Sequence, residues 1–313
     1  MNWKTDILGT DFEQLTIPLK ADKEGPVVAT LVRRLTTKPR GTAILYIHGF
    51  NDYFFQREMA VKFNDGGYNL YALDLRKYGR SYLPHQKFND IKNLNTYYEE
   101  IDKALMIIRS TGNQNIILMG HSTGGLIVTL YAKDNTQRRL FDGIILNSPF
   151  FEFNTSAILE KLIPIASTIG KYFPTMEIGG VLSEEYGESL HKDYKGEWDY
   201  DLQWKPNTVP PISLGWLRAI REGHRQLKHS FSIYQSILVL HSDATITDKK
   251  NDEQMHSMDA VLSVAHIAQI AQNIVGDVQT VAIKNGMHDL VLSRKEVREK
   301  VYTVMLSWIQ AKI

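Results

Sequence analysis

The chain has 313 residues, 43% of them hydrophobic, enough to bury a large core in one big domain or in a domain carrying an insertion. Its 36 basic and 35 acidic residues leave a formal net charge of +1, and no basic block calls for a nucleic-acid partner. Cysteine is absent, which excludes disulfides, thiolate metal sites and cysteine nucleophiles; with no signal-like apolar start and no run of transmembrane length, the expectation is a soluble cytoplasmic protein.

Residues 12–19 alternate apolar and polar side chains, as an exposed edge strand does, and residues 27–35 make a second strand across the turn Ala21-Asp22-Lys23-Glu24-Gly25. Residues 42–47 are a buried strand that runs into His48-Gly49-Phe50-Asn51-Asp52. A glycine there lets the backbone bend so that the N–H of Phe50 points into a site, while the His48 ring is expected to brace the loop. The strand at 68–73 leads into the charged turn Asp74-Leu75-Arg76-Lys77-Tyr78-Gly79-Arg80-Ser81, where Asp74 is expected in a structural ion pair. Tyr97, Ile101, Ala104, Leu105 and Ile108 recur at helical spacing and predict an amphipathic helix over 97–109.

The most informative run follows. Residues 115–119 are a short apolar strand, and from Gly125 to about Lys133 the pattern is that of a buried helix. Between them Gly120-His121-Ser122-Thr123-Gly124 fits G-x-S-x-G. The pentapeptide alone would also suit a glycine-rich turn with a serine cap. With a strand before it and a helix after it, the pattern is that of a nucleophile elbow, which exposes Ser122 on a sharp turn in front of a helix N-terminus.

Residues 143–146 add another buried strand before Asn147-Ser148-Pro149, and the alternation of strands and helices predicts an α/β fold with a mainly parallel central sheet flanked by helices. From residue 150 the pattern changes. An apolar run with Phe150, Phe153, Leu162 and Ile163 gives way to an aromatic, polar stretch over 184–205, then prolines, then a helix over 213–227. Residues 150–232 therefore read as a helical cap inserted between a first part of the core, 1–149, and a second, 233–313. Most of the cap aromatics are expected to pack it on the body, and some to line an acyl pocket. The second part holds a strand at 236–241, a polar loop at 242–258, a helix at 260–274, a strand at 278–283 and a closing C-terminal helix.

A serine nucleophile needs a base within hydrogen-bond reach and an acid to orient that base, in the chain order Ser, Asp or Glu, His for this kind of elbow. Of the ten histidines, His288 stands after the last strand and is the candidate base. The acid should follow the strand ending at His241. A count of a few residues lands on Thr245, which cannot serve, leaving Asp243, Asp248, Asp252 and Asp259. Asp259 is the first choice, because it is expected immediately before the 260–274 helix, whose dipole would support it; Asp243 is the second. The oxyanion donors would be the backbone N–H groups of Phe50 and Thr123.

His48-Gly49-Phe50, Asp74 to Ser81, Gly120 to Gly125, Asn147-Ser148-Pro149-Phe150 and Gly286-Met287-His288-Asp289 together resemble the α/β-hydrolase superfamily. Within it they resemble the monoacylglycerol lipase and lysophospholipase-like branch, also grouped with serine aminopeptidase-like hydrolases. The resemblance implies Ser122 as nucleophile, His288 as base and Phe50 with Thr123 as oxyanion donors. Relatives carry the acid where Thr245 stands here; Asp259-Ala260-Val261-Leu262 looks like their acid-to-helix segment shifted downstream by an inserted loop. The activity implied is cleavage of a carboxylic ester of acyl, monoacylglycerol or lysophospholipid type, without metal or organic cofactor, on a small-molecule or lipid substrate. An aminopeptidase, with Glu184, Glu185, Glu188 or Glu197 holding a free amine, and a non-catalytic ligand-binding protein are the alternatives.

Overall fold

A computed structural model describes residues 1–179, 184–248 and 251–313. The chain opens with an antiparallel meander of β1 (Lys4–Asp6), β2 (Gly9–Asp22) and β3 (Gly25–Arg34). The expected edge strand is longer than its alternating stretch, and the three-residue β1 covers its first half. Strands and helices then alternate: β4 (Thr42–Ile47), α1 (Arg57–Asp65), β5 (Asn69–Asp74), α2 (Tyr98–Ser110), β6 (Asn115–His121), α3 (Thr123–Asn135) and β7 (Gly143–Asn147). Between β7 and the next strand of the central sheet lie α4 (Ala157–Tyr172), β8 (Glu177–Ile178), α5 (Glu184–Leu190), β9 (Ile212–Ser213), α6 (Leu214–Leu227) and β10 (Phe231–Ser232). The chain closes with β11 (Ser236–Ser242), α7 (Asp252–Met255), α8 (Val264–Ala271), β12 (Ile274–Val275), β13 (Val278–Ile283) and α9 (Lys295–Lys312).

Among the described residues the central sheet has nine strands in the order β1-β2-β3-β5-β4-β6-β7-β11-β13, parallel from β5 to β13. Alternate residues of each strand go to opposite faces, as a pleated strand requires. Ala43, Leu45 and Ile47 of β4 join the core under α2, α3, α6 and α8, whereas Ile44 and Tyr46 join the core under α1 and α9. Both faces are covered, which is why these strands read as continuous apolar runs. The register pairs Ile47 with Gly120, His121 with Asn147, Asn147 with Leu240, and Ser242 with Ile283. The carboxyl ends of β4, β6, β7, β11 and β13 thus share one rim, where ligands bind in such sheets.

One helix boundary differs from expectation. The helix expected over 260–274 begins at Val264, because Ser263 caps it by accepting from the His266 N–H, and it ends at Ala271. Residues 259–262 are held instead in a loop by a bridge between Thr245 and Asp259. Among the described residues no helix is long and apolar enough to cross a membrane.

Candidate active site

β6 and α3 meet at Ser122, whose backbone sits at φ 51°, ψ −117°, a strained conformation for a residue with a side chain. The flanking glycines make this turn possible. A Cβ on Gly120 would lie 2.5 Å from the Gly124 carbonyl oxygen, and one on Gly124 would collide with the carbonyls of Ile47 and His48. The Ser122 N–H donates to the Asn147 carbonyl at 3.0 Å, and the Ser122 carbonyl accepts from Phe150 N–H at 2.9 Å, so the turn is tied to the end of β7.

Ser122 Oγ lies 3.0 Å from His288 Nε2, and His288 Nδ1 lies 3.0 Å from Asp259 Oδ2. A carboxylate only accepts, so it places the imidazole proton on Nδ1 and leaves Nε2 to accept from the serine hydroxyl. The other oxygen of Asp259 accepts from the N–H groups of Val261 at 2.9 Å and Leu262 at 2.7 Å. Support for this buried carboxylate therefore comes from two local amides and not from the N-terminus of α8, which corrects the helix-start expectation. The two ends of the loop after β11 are tied together: Asp259 N–H donates to Ala244 O at 2.8 Å and Ile246 N–H to Asp259 O at 3.0 Å. Thr245, bridged to Asp259, accepts from Val264 N–H at 2.9 Å through its hydroxyl. Asp243 is exposed and accepts from Asn285 N–H at 2.9 Å, buttressing the turn that leads to His288, while Asp252 pairs with Lys195.

The loop after β4 packs against the elbow; a Cβ on Gly49 would stand 3.2 Å from that of Ser122. His48 is fully buried, donating from Nδ1 to Gly49 O at 2.7 Å and accepting at Nε2 from Leu75 N–H at 3.0 Å. Burial pushes its imidazole below the usual value, ahead of the opposing pull of Asp74 and Asp52, so the ring is a neutral brace for the loop. Thr123 opens α3, and its N–H is one of the helix donors without an intrahelical acceptor. Phe50 and Thr123 both line the cavity above Ser122.

That cavity encloses about 380 Å³. Phe150, Phe153, Leu159, Leu162, Ile163 and Ala166, from the stretch between β7 and β11, form an apolar wall, and Val261 and Leu262 continue it beside Asp259. Its one carboxylate among the described residues is Asp52, which pairs with Lys205 at 3.0 Å. Burial raises the Asp52 carboxyl, but Lys205 and the neighbouring imidazoles of His48 and His121 together outweigh it and hold it below its usual value. Asn51 Nδ2 donates to Pro206 O at 2.8 Å, so the loop of Phe50 is also clasped to the inserted segment.

Other residues singled out by sequence fall elsewhere. Asp74 accepts from Arg80 and from Phe54 N–H, a structural ion pair. Glu197 pairs with Arg298, and Glu184 accepts from Thr208 Oγ1 at the surface. Trp198 donates to Leu292 O and Trp204 packs edge-on against Tyr53, so these aromatics tie the stretch between β7 and β11 to residues that flank the central sheet. Tyr186 and Tyr200 line the cavity, and the Tyr186 ring lies edge-on to His288. His121 packs its ring 4.9 Å from that of His288 while its Nδ1 donates to Asn147 O. Four residues of the site were given no role by the sequence: Lys205 and Asp52, which pair with each other, and Asn147 and Asp289, which stand in the motifs of the resemblance. Among the described residues no cluster of three or more His, Asp or Glu could hold a metal ion.

Residues 37–294 match the family model described as serine aminopeptidase, S33. The chain belongs to that family. Its fold is shared with solved members of wider α/β-hydrolase type. A soluble variant of monoglyceride lipase from Saccharomyces cerevisiae is 16% identical with a TM-score of 0.69, over 96% of this chain and 97% of that one. The monoacylglycerol lipase of Paleococcus ferrophilus is 17% identical with a TM-score of 0.68, over 90% and 99% respectively. A monoacylglycerol lipase of Mycolicibacterium smegmatis is 27% identical over 145 residues, 45% of this chain. The match spans about half, 49%, of that relative's length.

Proposed function

We propose that this member of the family is a carboxylic-ester hydrolase that cleaves acyl esters of monoacylglycerol or related type through an acyl-enzyme. The observation that carries the reading is the chain of two 3.0 Å contacts from Ser122 through His288 to Asp259, opening into a largely apolar cavity. Ser122 Oγ attacks the ester carbonyl carbon as its proton passes to His288 Nε2. The oxyanion is received by the N–H groups of Phe50 and Thr123, where one such donor contributes roughly 3 kcal/mol of transition-state stabilisation. The tetrahedral intermediate collapses, the C–O bond to the alcohol breaks, and His288 protonates the leaving oxygen. Water then gives a proton to His288, attacks the acyl carbon and releases the acid with Ser122 restored. Asp259 holds the imidazole orientation and stabilises its charged form throughout.

Residues 150–232 act as the cap, and their apolar wall receives the acyl chain. The names of the monoacylglycerol lipases above support an ester of this kind. Against the aminopeptidase alternative, the one cavity carboxylate among the described residues, Asp52, is already paired with Lys205 and so is not free to receive an amine. The test is a panel of p-nitrophenyl esters from acetyl to palmitoyl beside aminoacyl anilides. Ester turnover that disappears in Ser122→Ala is expected; anilide turnover exceeding ester turnover would reverse the assignment.

A further inference from the structure

We propose that Asn147 and Asp289 form a positioning pair that sets the distance between Ser122 and His288; this rests on the roles assigned above to those two residues. Ser122 stands at the tip of β6, and His288 arrives from β13, with β7 and β11 between them. Three inter-strand steps of about 4.8 Å put the two tips roughly 14 Å apart. The loop after β13 must therefore cross the rim and be held at its far end.

The post for that crossing is the tip of β7. Asn147 is fully buried, and its carbonyl accepts from both Ser122 N–H at 3.0 Å and His121 Nδ1 at 3.2 Å. Its side chain faces the incoming loop. The amide donates to Asp289 Oδ1 at 2.6 Å and its oxygen accepts from Leu290 N–H at 3.2 Å. One residue thus holds the nucleophile through its main chain and the base-bearing loop through its side chain. Only an amide satisfies both contacts, since aspartate cannot donate and leucine can do neither.

Asp289 is buried too, and the triad chemistry does not use it. Its carboxylate is met by N–H donors, with Val291 N–H at 3.3 Å and Gln56 Nε2 at 3.5 Å besides Asn147. Among the described residues the nearest potential cation is His121 Nε2 at 3.9 Å, and burial lowers that imidazole toward its neutral form. A buried carboxylate without a firm countercharge is costly, so it persists only where its hydrogen bonds secure something. What these bonds secure is the residue adjacent to His288. Tyr186 seals the arrangement, its hydroxyl accepting from Asp289 N–H at 3.3 Å.

The experiment measures the second-order rate of fluorophosphonate labelling, kcat and KM on p-nitrophenyl butyrate, and a melting curve. Asn147→Asp is expected to slow labelling and kcat by roughly 100-fold, as a misplaced base does, with KM nearly unchanged. Asn147→Asp combined with Asp289→Asn restores a donor and an acceptor with their roles exchanged, and should recover at least about tenfold over the single variant. Asp289→Asn alone keeps the shape, weakens a charge-assisted bond and should slow labelling about tenfold. Wild-type labelling rates in folded Asn147→Asp or Asp289→Asn, or no recovery in the double variant, would overturn the pairing. If the unsubstituted protein is not labelled at Ser122, the hydrolase reading itself fails; labelling with unaffected variants removes this inference alone.

Discussion

Replacing Asp259 by asparagine tests the acid through its surroundings. One carboxylate oxygen accepts from two backbone amides, of Val261 and Leu262, and the other from His288 Nδ1. An asparagine can keep the two amides only by turning its oxygen toward them, because an NH₂ group there would face two donors and lose both bonds. Its nitrogen must then face His288 and donate to Nδ1. The imidazole proton moves to Nε2, and the atom that should take the Ser122 proton is occupied. A wrong-tautomer change of this kind lowers kcat by roughly 10⁴, about 5.5 kcal/mol of barrier. Asp243→Asn, by contrast, keeps an oxygen for the Asn285 N–H and should leave kcat within about threefold, as surface changes away from the chemistry do. Turnover of p-nitrophenyl butyrate, with melting curves to show both variants folded, provides the comparison. An Asp259→Asn enzyme within about tenfold of the parent, or an equal loss in Asp243→Asn, would refute the assignment of Asp259.

Three further perturbations probe the cavity and its supports. Ala166→Trp fills the apolar wall, so palmitoyl ester hydrolysis should collapse while acetyl ester hydrolysis is retained; equal losses across the chain-length series would place the acyl chain elsewhere. Lys205→Met strands the buried Asp52 carboxylate and should destabilise the protein by about 3 kcal/mol in denaturant titrations, with Asp52→Asn in the same chain restoring most of it; an unchanged midpoint would show that the pair contributes little. Burial raises the Glu152 carboxyl, but His224, the Phe153 N–H and Lys228 together outweigh it and bring its pKa down to about 2 from an ordinary 4.5. Because the folded value is the lower one, this stabilisation is present above about pH 4.5 and is lost as the pH falls toward 2. Melting temperatures of Glu152→Gln should therefore fall less than those of the parent between pH 5 and 2, and parallel curves would contradict this.

The strands were readable in sequence because both faces of the sheet are covered. Residues 42–47, 143–146 and 236–241 carry apolar side chains whichever way they point, and β4, β7 and β11 occupy those positions. Ser122 and His288 could be singled out because chain order and strand ends constrain them, and the structure brings them to 3.0 Å. The route of Asp259 was harder to read. Apolar spacing suggested that a helix starts at residue 260, but the side-chain cap is Ser263, and the bridge to Thr245 draws the preceding residues into a loop. Periodicity carries no information about such a bridge. Asn147 was noted at the end of a strand and within a motif of the resemblance but was given no role, since its contact depends on a partner 142 residues away. The Lys205–Asp52 pair likewise joins a proline-flanked stretch of the insertion to a loop near the start of the sheet.

Mass analysis of the intact protein after incubation with a fluorophosphonate bears most directly on the chemistry assigned to the rim of the sheet. One adduct on the peptide containing Ser122 is expected, with ester turnover lost in step, and none in Ser122→Ala. An unmodified protein that still hydrolyses esters, or an adduct on another serine, would contradict the assignment.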